Sequence, residues 1–386
     1  MIAVTIAPWN YGVFVVGMLL ILSLDLGLFN RKAHKVGFKE ALGWSTLWFA
    51  LAMVFAFAAI PEVYDRESSE RFLELDVNHN GKLEQEECLI KHDDAGFESR
   101  DPLRFNETIF NQFNTDENEA LNKREYSLVL QHVSKLAFIT GYILELALSM
   151  DNVFVIVLIF AYFKVKPIYQ HRVLFWGIMG ALIMRGLMIG VGAVAVAEFH
   201  WILYGFGAFL LFTGIKMLFY DDEDGVEPDK NPLVKLARKL FPVHDQFEGE
   251  RFIVKIDGKR MLTPMAIVLV TIEYTDVIFA VDSIPAIFAV TTDPYIVFTS
   301  NMFAILGLRS LYFVLAGMIE VFHYLKYGLA LVLAFIGAKM LAEPWLRDSD
   351  IPAWGALVVV VAILLFSILA SLLDTKNASE DSGDAE

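Results

Sequence analysis

Residues 264–291, PMAIVLVTIEYTDVIFAVDSIPAIFAVT, combine an apolar length sufficient to cross a membrane with three carboxylates. About 20 predominantly apolar residues are enough for a helix to cross the hydrocarbon core of a bilayer. A charge at the bilayer centre costs roughly 2.5–3.5 kcal/mol even on the lenient insertion scale, so such side chains are kept where they face a polar interior. Glu273, Asp276 and Asp282 therefore indicate a membrane-crossing helix that borders a polar path.

Eight further stretches have the length and composition of membrane-spanning helices, near 8–29, 40–60, 137–162, 172–197, 200–219, 297–319, 324–343 and 353–373. The mean hydropathy of +0.52 and the 56% hydrophobic content agree with a membrane class. The first stretch has no basic segment before it, and we expect it to be retained rather than cleaved as a signal peptide. The chain is predicted to be an all-α, polytopic membrane helix bundle of about nine spans.

Three more carboxylates lie inside predicted spans, namely Asp25, Glu145 and Asp151, and Asn152 follows the last of them. An acid-rich membrane interior predicts a cation path, since hard oxygen ligands without thiolate suit manganese, calcium or magnesium. A carboxylate beyond the requirement of the ion could carry an exchanged proton. Arg185 and Arg309 are expected to pair with two of the acids, a structural role that could absorb Glu145 or Glu273.

Short loops rich in Lys and Arg predict the orientation of the spans. The connections near 30–39, 164–172 and 220–263 are basic and are expected on the cytoplasmic side. The N-terminus and the segment 61–135 then lie outside, and the acidic tail 374–386 lies inside.

Segment 61–135 is an insert of different character, with 18 Asp and Glu against 9 Lys and Arg. Residues 76–87, DVNHNGKLEQEE, match the calcium loop of an EF-hand. The predicted calcium ligands are the side chains of Asp76, Asn78, Asn80 and Glu87 and the backbone carbonyl of Lys82. Gly81 stands at the sixth position, where the loop turns sharply.

A second loop begins at Asn114, 38 positions after Asp76, a spacing suited to paired EF-hands. It keeps Asp116, Asn118 and Glu125 as candidate ligands but lacks the first aspartate and the turn glycine. Two interpretations stay open: this loop binds calcium weakly, or it binds nothing and supports the first loop.

An internal repeat relates spans three to five to spans six to eight. FHWILYG at 199–205 recurs as FHYLKYG at 322–328, and GIKML at 214–218 recurs as GAKML at 337–341. Arg185 corresponds to Arg309. Two registers remain for the acids: Asp151 matches Asp276, or Glu145 and Asp151 match Asp276 and Asp282. The predicted topology makes the copies inverted, an arrangement typical of secondary transporters.

At these positions the sequence closely resembles the TerC family of integral membrane proteins. The resemblance rests on 26–41 (LGLFNRKAHKVGFKEA), 148–154 (LSMDNVF), 171–177 (HRVLFWG), 279–287 (FAVDSIPAI) and 300–313 (SNMFAILGLRSLYF), and it covers roughly 8–60 and 136–373. It implies a bacterial inner-membrane protein of the LysE-type transporter superfamily, linked to manganese export and to metal or tellurite stress. The acidic motifs of the family carry over to Asp25, Asp151, Asn152, Glu273, Asp276 and Asp282. The EF-hand insert departs from the short loop usual in the family.

We therefore expect a Mn²⁺ exporter coupled to protons, with a calcium-binding insert that regulates it. The predicted units are 1–60, 61–135, 136–219, 220–263, 264–343, 344–373 and 374–386. Alternatives are a calcium exporter and a membrane scaffold for the stress response. Membrane lipid and divalent cations are the expected partners, with further copies of the chain or stress-response proteins as candidates. Nucleic acid is not an expected partner. An enzyme is not expected, because the sequence has no glycine-rich phosphate loop, nucleophile–base arrangement or His/Cys metal cluster.

Overall fold

The computed structural model describes residues 6–24, 37–88, 107–115, 120–199, 201–219, 232–244, 246–256, 258–315, 324–342 and 353–383. Long helices dominate the described residues. They are α1 (Pro8–Leu24), α2 (Phe38–Val54), α3 (Ile60–Leu75), α4 (Gln85–Cys88), α5 (Glu107–Phe113), α6 (Lys123–Tyr162), α7 (Pro167–Glu198), α8 (Ile202–Phe219), α9 (Pro232–Leu240), α10 (Pro264–Phe288), α11 (Pro294–Leu315), α12 (Leu325–Ala342) and α13 (Ala353–Gly383). Two short antiparallel pairs accompany them: β1 (Leu83–Glu84) with β2 (Ala120–Leu121), and β3 (Ile253–Ile256) with β4 (Lys259–Leu262).

Eight helical stretches in the described part are long and apolar enough to cross a membrane. They comprise the continuous stretch Phe38–Leu75, helices α6, α7, α8, α10, α11 and α12, and the part of α13 over Gly355–Asp374. Helix α1 is apolar but shorter. The prediction of an all-α polytopic membrane protein is thus confirmed, whereas Asp25 in the first predicted span lies outside the described residues.

Two helical rods are much longer than a bilayer is thick. Helix α2, a π-helical turn (Phe55–Ala59) and α3 form one stretch of 38 residues, and α6 has 40 residues. At 1.5 Å per residue each rod is about 60 Å long, roughly twice the 30 Å hydrocarbon core. Pro61 does not break the first rod; it follows the π-helical turn directly, a local change of winding that such helices use to accommodate an irregular position. Both rods therefore continue from a span into the insert.

Helices α10 and α11 lie at the centre of the bundle. Their most apolar windows are 50% and 78% buried, compared with 22% for α8 and 17% for α13. Both pack against α6 and α7. Side chains where α10 and α11 meet α6 and α7 are therefore shielded by neighbouring helices.

Helices that correspond in the predicted repeat run in opposite directions where they touch. Gly141 of α6 lies against Ile287 of α10, while Asn152, further along α6, lies against Asp276. Helices α8 and α12 also cross antiparallel, since Gly207 lies against Met340 whereas the later Gly214 lies against the earlier Ala334. Opposite directions are what an inverted repeat requires, and the repeat itself stays a prediction from sequence.

The region between α8 and α10 contains structure that the sequence analysis did not predict. After α9, the backbone at Pro242 accepts a hydrogen bond from the Leu262 nitrogen (2.9 Å), and His244 donates to the Leu262 carbonyl (2.7 Å). The β3–β4 hairpin is thereby fixed directly before α10. Arg172, at the start of α7, pairs with Glu250 at 3.0 Å.

Candidate cation site

A buried cluster of charged side chains joins three central helices. Arg185 of α7 donates from Nε to Asp276 Oδ2 (3.1 Å) and from Nη2 to Asp276 Oδ1 (2.9 Å), while its Nη1 pairs with Glu145 of α6. Asn152 Nδ2 donates to Asp276 Oδ1 at 2.8 Å. Glu145 and Asn152 share one face of α6 because they are seven residues apart. Arg185, which is expected from sequence to pair with an acid, thus pairs with two of them.

This cluster is shielded from solvent and carries more negative than positive charge. The exposed fractions of Glu145, Arg185 and Asp276 are 0%, 1% and 4%. Two carboxylates face one guanidinium, and the Glu145 Oε2 and Asn152 Oδ1 atoms have no hydrogen-bond partner. Buried polar oxygens without partners are costly unless water or an ion satisfies them. The cluster therefore presents oxygen ligands with acceptor capacity to spare.

A small cavity of about 10 Å³ adjoins the cluster, enough for about one water molecule. Asn152, Asp276 and Arg309 supply its polar lining, and apolar side chains such as Ile156 and Leu308 supply the rest. Arg309 of α11, the predicted repeat partner of Arg185, thus lies beside the cluster.

Of the other predicted intramembrane acids, Glu273 lies near Asp276, whereas Asp151 and Asp282 have other neighbours. Asp151 follows on a different face of α6 and lies near Lys326. Asp282 lies within hydrogen-bonding reach of Thr213 and near Lys216 of α8. Glu273 packs against Gly180 of α7, where a methyl group would collide with its carboxylate. Within the described ranges, no three His, Cys, Asp or Glu side chains come together as a metal site.

Three small buried polar side chains lie on the central helices without hydrogen-bond partners. Ser149 Oγ and both amide atoms of Asn301 are unpaired. Ser283 Oγ is likewise unpaired. All three residues are at most 2% exposed and lie on the central helices α6, α10 and α11. An unpaired state depends on packing between helices, so no local sequence signal reveals it.

The first loop of the insert folds around its own predicted ligands. Asp76 accepts hydrogen bonds from the backbone of Asn80 (3.0 Å) and Gly81 (2.9 Å), and Asn78 Oδ1 also accepts from Asn80 (2.9 Å). Glu87 accepts from the nitrogens of Val77 and Glu84, both at 3.1 Å. Gly81 has a φ of +77°, a conformation that favours glycine. The side-chain oxygens at positions 1, 3 and 12 of this loop therefore close on its interior.

The second loop repeats part of this arrangement. Glu125 accepts from the nitrogens of Thr115 and Asn122, both at 3.0 Å, which are the positions equivalent to Val77 and Glu84. Leu83 pairs with Leu121 in the β1–β2 ladder, and both are fully buried. The predicted ligands Asp116 and Asn118 lie outside the described residues. The two loops thus lie side by side and are related by a short antiparallel ladder.

A second buried polar cluster links the insert to the central helices. Tyr64 of α3 donates to Asp293 Oδ2 at 2.6 Å, and Arg71 lies 3.7 Å from the same oxygen. Asp293 Oδ1 accepts from the nitrogen of Tyr295 (2.9 Å) in the first turn of α11. The Asp293–Pro294 sequence is a recognisable helix start, but its pairing with Arg71 depends on the tertiary fold.

Comparison with known proteins places the chain in a family. Residues 130–379 match the model described as integral membrane protein TerC family. An uncharacterized membrane protein of Myxococcus xanthus, STKORF319, is 39% identical over 379 residues, which cover 98% of this chain and 97% of that protein. Proteins named putative membrane-bound redox modulator Alx are 40% identical over 364 residues, covering 94% of this chain and 93% of the Salmonella typhi protein or 94% of the Escherichia coli (strain K12) protein. No solved structure matches the chain. The chain belongs to the TerC family of integral membrane proteins.

Proposed function

We propose that this membrane protein transports a divalent cation, exporting Mn²⁺ in exchange for protons. The observation that carries the proposal is the buried cluster in which Glu145, Asn152 and Asp276 surround Arg185. Two carboxylates and an amide oxygen are hard ligands, the kind that Mn²⁺, Mg²⁺ and Ca²⁺ prefer over the softer ligands of copper or zinc. Charged groups at membrane depth are a default indication of an ion or substrate pathway.

The position of the cluster supports transport. Asp276 is the thirteenth of the 25 residues of α10, so it stands halfway along its span. Glu145 and Asn152 come from α6, the helix that corresponds to α10 in the predicted repeat and runs antiparallel to it. Ion sites of transporters built from inverted repeats lie near the bilayer midplane between the copies. Alternating access would then expose the same ligands to either side in turn.

Proton exchange needs a carboxylate that is not held by the metal. Asp151, Glu273 and Asp282 do not bind Arg185 in this structure, so each could carry a proton without breaking the Arg185 cluster. Glu273 is the nearest in sequence to Asp276, three residues earlier on the same face of α10.

The insert is proposed to bind Ca²⁺ and to regulate transport. The residues that would hold calcium in the first loop are Asp76, Asn78, Asn80, Glu87 and the Lys82 carbonyl, an all-oxygen set that fits this ion. The bound ion would order the loop and the helices that flank it. Because α3 and α6 continue into spans, a change in their relative angle would reach Glu145 and Asn152.

A scaffold without transport is the second candidate function, favoured by one specific observation. Arg185 pairs with both Glu145 and Asp276 in the described state, as it would in a network that only holds helices together. This chain has a single cysteine, Cys88, which is buried, so the redox role in the name of the Alx relatives could not rest on an intrachain disulfide here.

The experiment that separates these functions is Mn²⁺ flux in proteoliposomes with an imposed pH gradient. A transporter gives flux that follows the gradient and disappears in Asp276→Asn, while Asp374→Asn, an acid-to-amide change at an exposed position, leaves it unchanged. Calcium on the same side as manganese should reduce the flux if calcium is instead the transported ion. Absence of flux from well-folded wild-type protein would support the scaffold.

A further inference from the structure

We infer that Arg185 is a tethered counter-ion, which holds the ligand carboxylates of the empty transporter and must leave them when Mn²⁺ binds. This inference rests on the proposed function, because it concerns the regulation of that same site. It goes beyond structural pairing, since it assigns Arg185 a role in each transport cycle.

The geometry of the guanidinium supports this role. Three nitrogens of Arg185 are used: Nε and Nη2 hold Asp276 at 3.1 and 2.9 Å, and Nη1 holds Glu145. A metal ion that bridged the same two carboxylates would need the space between them, which the guanidinium fills. Arg185 and a bound cation are therefore competitors for one position.

The cavity that adjoins the cluster, among the described residues, is too small to hold a coordinated ion. The adjoining cavity of about 10 Å³ has room for about one water molecule, whereas Mn²⁺ in an oxygen site usually takes octahedral coordination. Glu145 Oε2 and Asn152 Oδ1, which have no hydrogen-bond partners, could serve as further ligands beside the guanidinium. They do not enlarge the space in which an ion could sit. Entry of the ion thus requires that the Arg185 side chain move away.

Charge explains why a transporter would keep such a residue. Without Arg185, Glu145 would lose its ion-pair partner, and among the described residues Asp276 would keep only Arg309, which lines the adjoining cavity, as a nearby cation. Buried carboxylates in this state are disfavoured in a low-dielectric interior. The guanidinium offsets half of the charge of the two carboxylates, so the empty protein can pass between its two orientations. Glu273, which packs against Gly180 on the same helix as Arg185, offers an acceptor when the guanidinium is displaced.

The test compares Arg185→Gln with wild type, using Mn²⁺ alone as the probe. Removal of the competitor should tighten Mn²⁺ binding to purified protein by roughly tenfold or more, measured by calorimetry or by the EPR signal of free Mn²⁺. Net efflux should fall, because the empty protein no longer returns. Exchange of Mn²⁺ for Mn²⁺ across the membrane should persist, since it does not require the empty state.

Arg172→Gln is the matched control, because Arg172 lies on the same helix but pairs with Glu250 in an exposed position. It should change neither affinity nor flux. Unchanged or weaker Mn²⁺ binding in Arg185→Gln, with net efflux and exchange lost together, would reduce Arg185 to a structural role.

Arg185→Lys covers the case in which the glutamine variant does not fold. Lysine keeps the charge but cannot hold two carboxylates through a planar fork, so Mn²⁺ binding should tighten while net efflux partly survives. Unchanged affinity in folded Arg185→Lys would overturn the inference. Wild-type protein that neither binds nor moves Mn²⁺ would instead overturn the proposed function, so the two failures are distinguishable.

Discussion

At the scale of single residues, Asp276 is the point on which the central cluster depends. It accepts hydrogen bonds from Arg185 Nε, Arg185 Nη2 and Asn152 Nδ2, and it is 4% exposed. Glu145 offers Arg185 only one observed contact and keeps one oxygen unpaired. Removing Asp276 would leave the buried guanidinium with one acidic partner instead of two. This change should lower the free energy of unfolding more than the removal of an exposed acid.

Asp276→Asn should therefore lower stability as well as abolish transport. Breaking a buried ion pair by removing one partner costs about 3–5 kcal/mol, and this range is an upper bound here because Glu145 remains. Thermal unfolding in detergent measures the effect, with Asp374→Asn as the control that should leave the transition unchanged. If the two variants unfold at the same temperature, the ion pair between Arg185 and Asp276 does not contribute to stability.

At the scale of elements, helix lengths and contacts explain how the site is held. Helices α8 and α12 cross at glycines: a methyl group on Gly214 would lie 2.6 Å from the Ala334 nitrogen, and one on Gly337 would collide with the Leu211 backbone. Such close approach between helix backbones is characteristic of membrane proteins, where packing drives association. Gly214 and Gly337 are also equivalent in the predicted repeat.

Gly337→Ala should destabilise the α8–α12 crossing, because the obstructing atoms belong to backbone and cannot rotate away. Overpacking of this kind costs about 1–3 kcal/mol. Gly205→Ala in α8 is the matched control, since no atom lies within 4 Å of the added methyl group. The midpoint of thermal unfolding should fall for Gly337→Ala alone, and a similar fall in both variants would contradict the crossing.

Glu87→Gln should weaken calcium binding by the insert, because it removes half of the carboxylate that closes the first loop. We expect a loss of roughly 10–100-fold, comparable to the loss of a supporting carboxylate in other metal sites. Glu86→Gln, one position earlier and exposed, is the control. Calcium titration of the full chain followed by calorimetry measures both variants, and equal affinities would exclude the proposed ligand set.

Much of the element scale could be predicted from sequence, and the reasons are physical. Apolar length alone locates α6 to α8 and α10 to α12, because a bilayer demands it. Acidic residues inside predicted spans can also be recognised in the sequence, because the free-energy cost of a charge in the bilayer makes such residues rare. Periodicity does not reveal which acids meet. Only the packing of α6, α7 and α10 brings Glu145 and Asp276 to Arg185 and leaves Asp151 and Asp282 elsewhere.

At the scale of the whole molecule, two continuous helices connect the insert to the membrane-spanning bundle. The rods Phe38–Leu75 and Lys123–Tyr162 each contain a span and a helix that flanks a predicted calcium loop. Asp65 of the first rod accepts from Ser127 (2.5 Å) and Gln131 (3.2 Å) of the second, which ties the rods together outside the span. Both helices run continuously through positions 61 and 135, where the sequence analysis divides the chain by its change in charge.

Tyr64→Phe should weaken the response of transport to calcium while leaving calcium-free transport intact. The tyrosine donates to Asp293 at 2.6 Å and so joins the first rod to the start of α11. Loss of a hydrogen bond to a charged acceptor costs about 1.5–3 kcal/mol, enough to loosen this link. Flux is measured with and without calcium on the side of the insert. Tyr169→Phe, at the start of α7, should respond to calcium as wild type does.

The most direct test of the account is the position of a bound Mn²⁺ ion, found by anomalous diffraction from crystals of the full chain grown with manganese. We expect a manganese peak between the carboxylates of Glu145 and Asp276, with the Arg185 guanidinium moved away from both. Manganese found only elsewhere, with Arg185 still holding Glu145 and Asp276, would contradict the central claim that this cluster is the ion site.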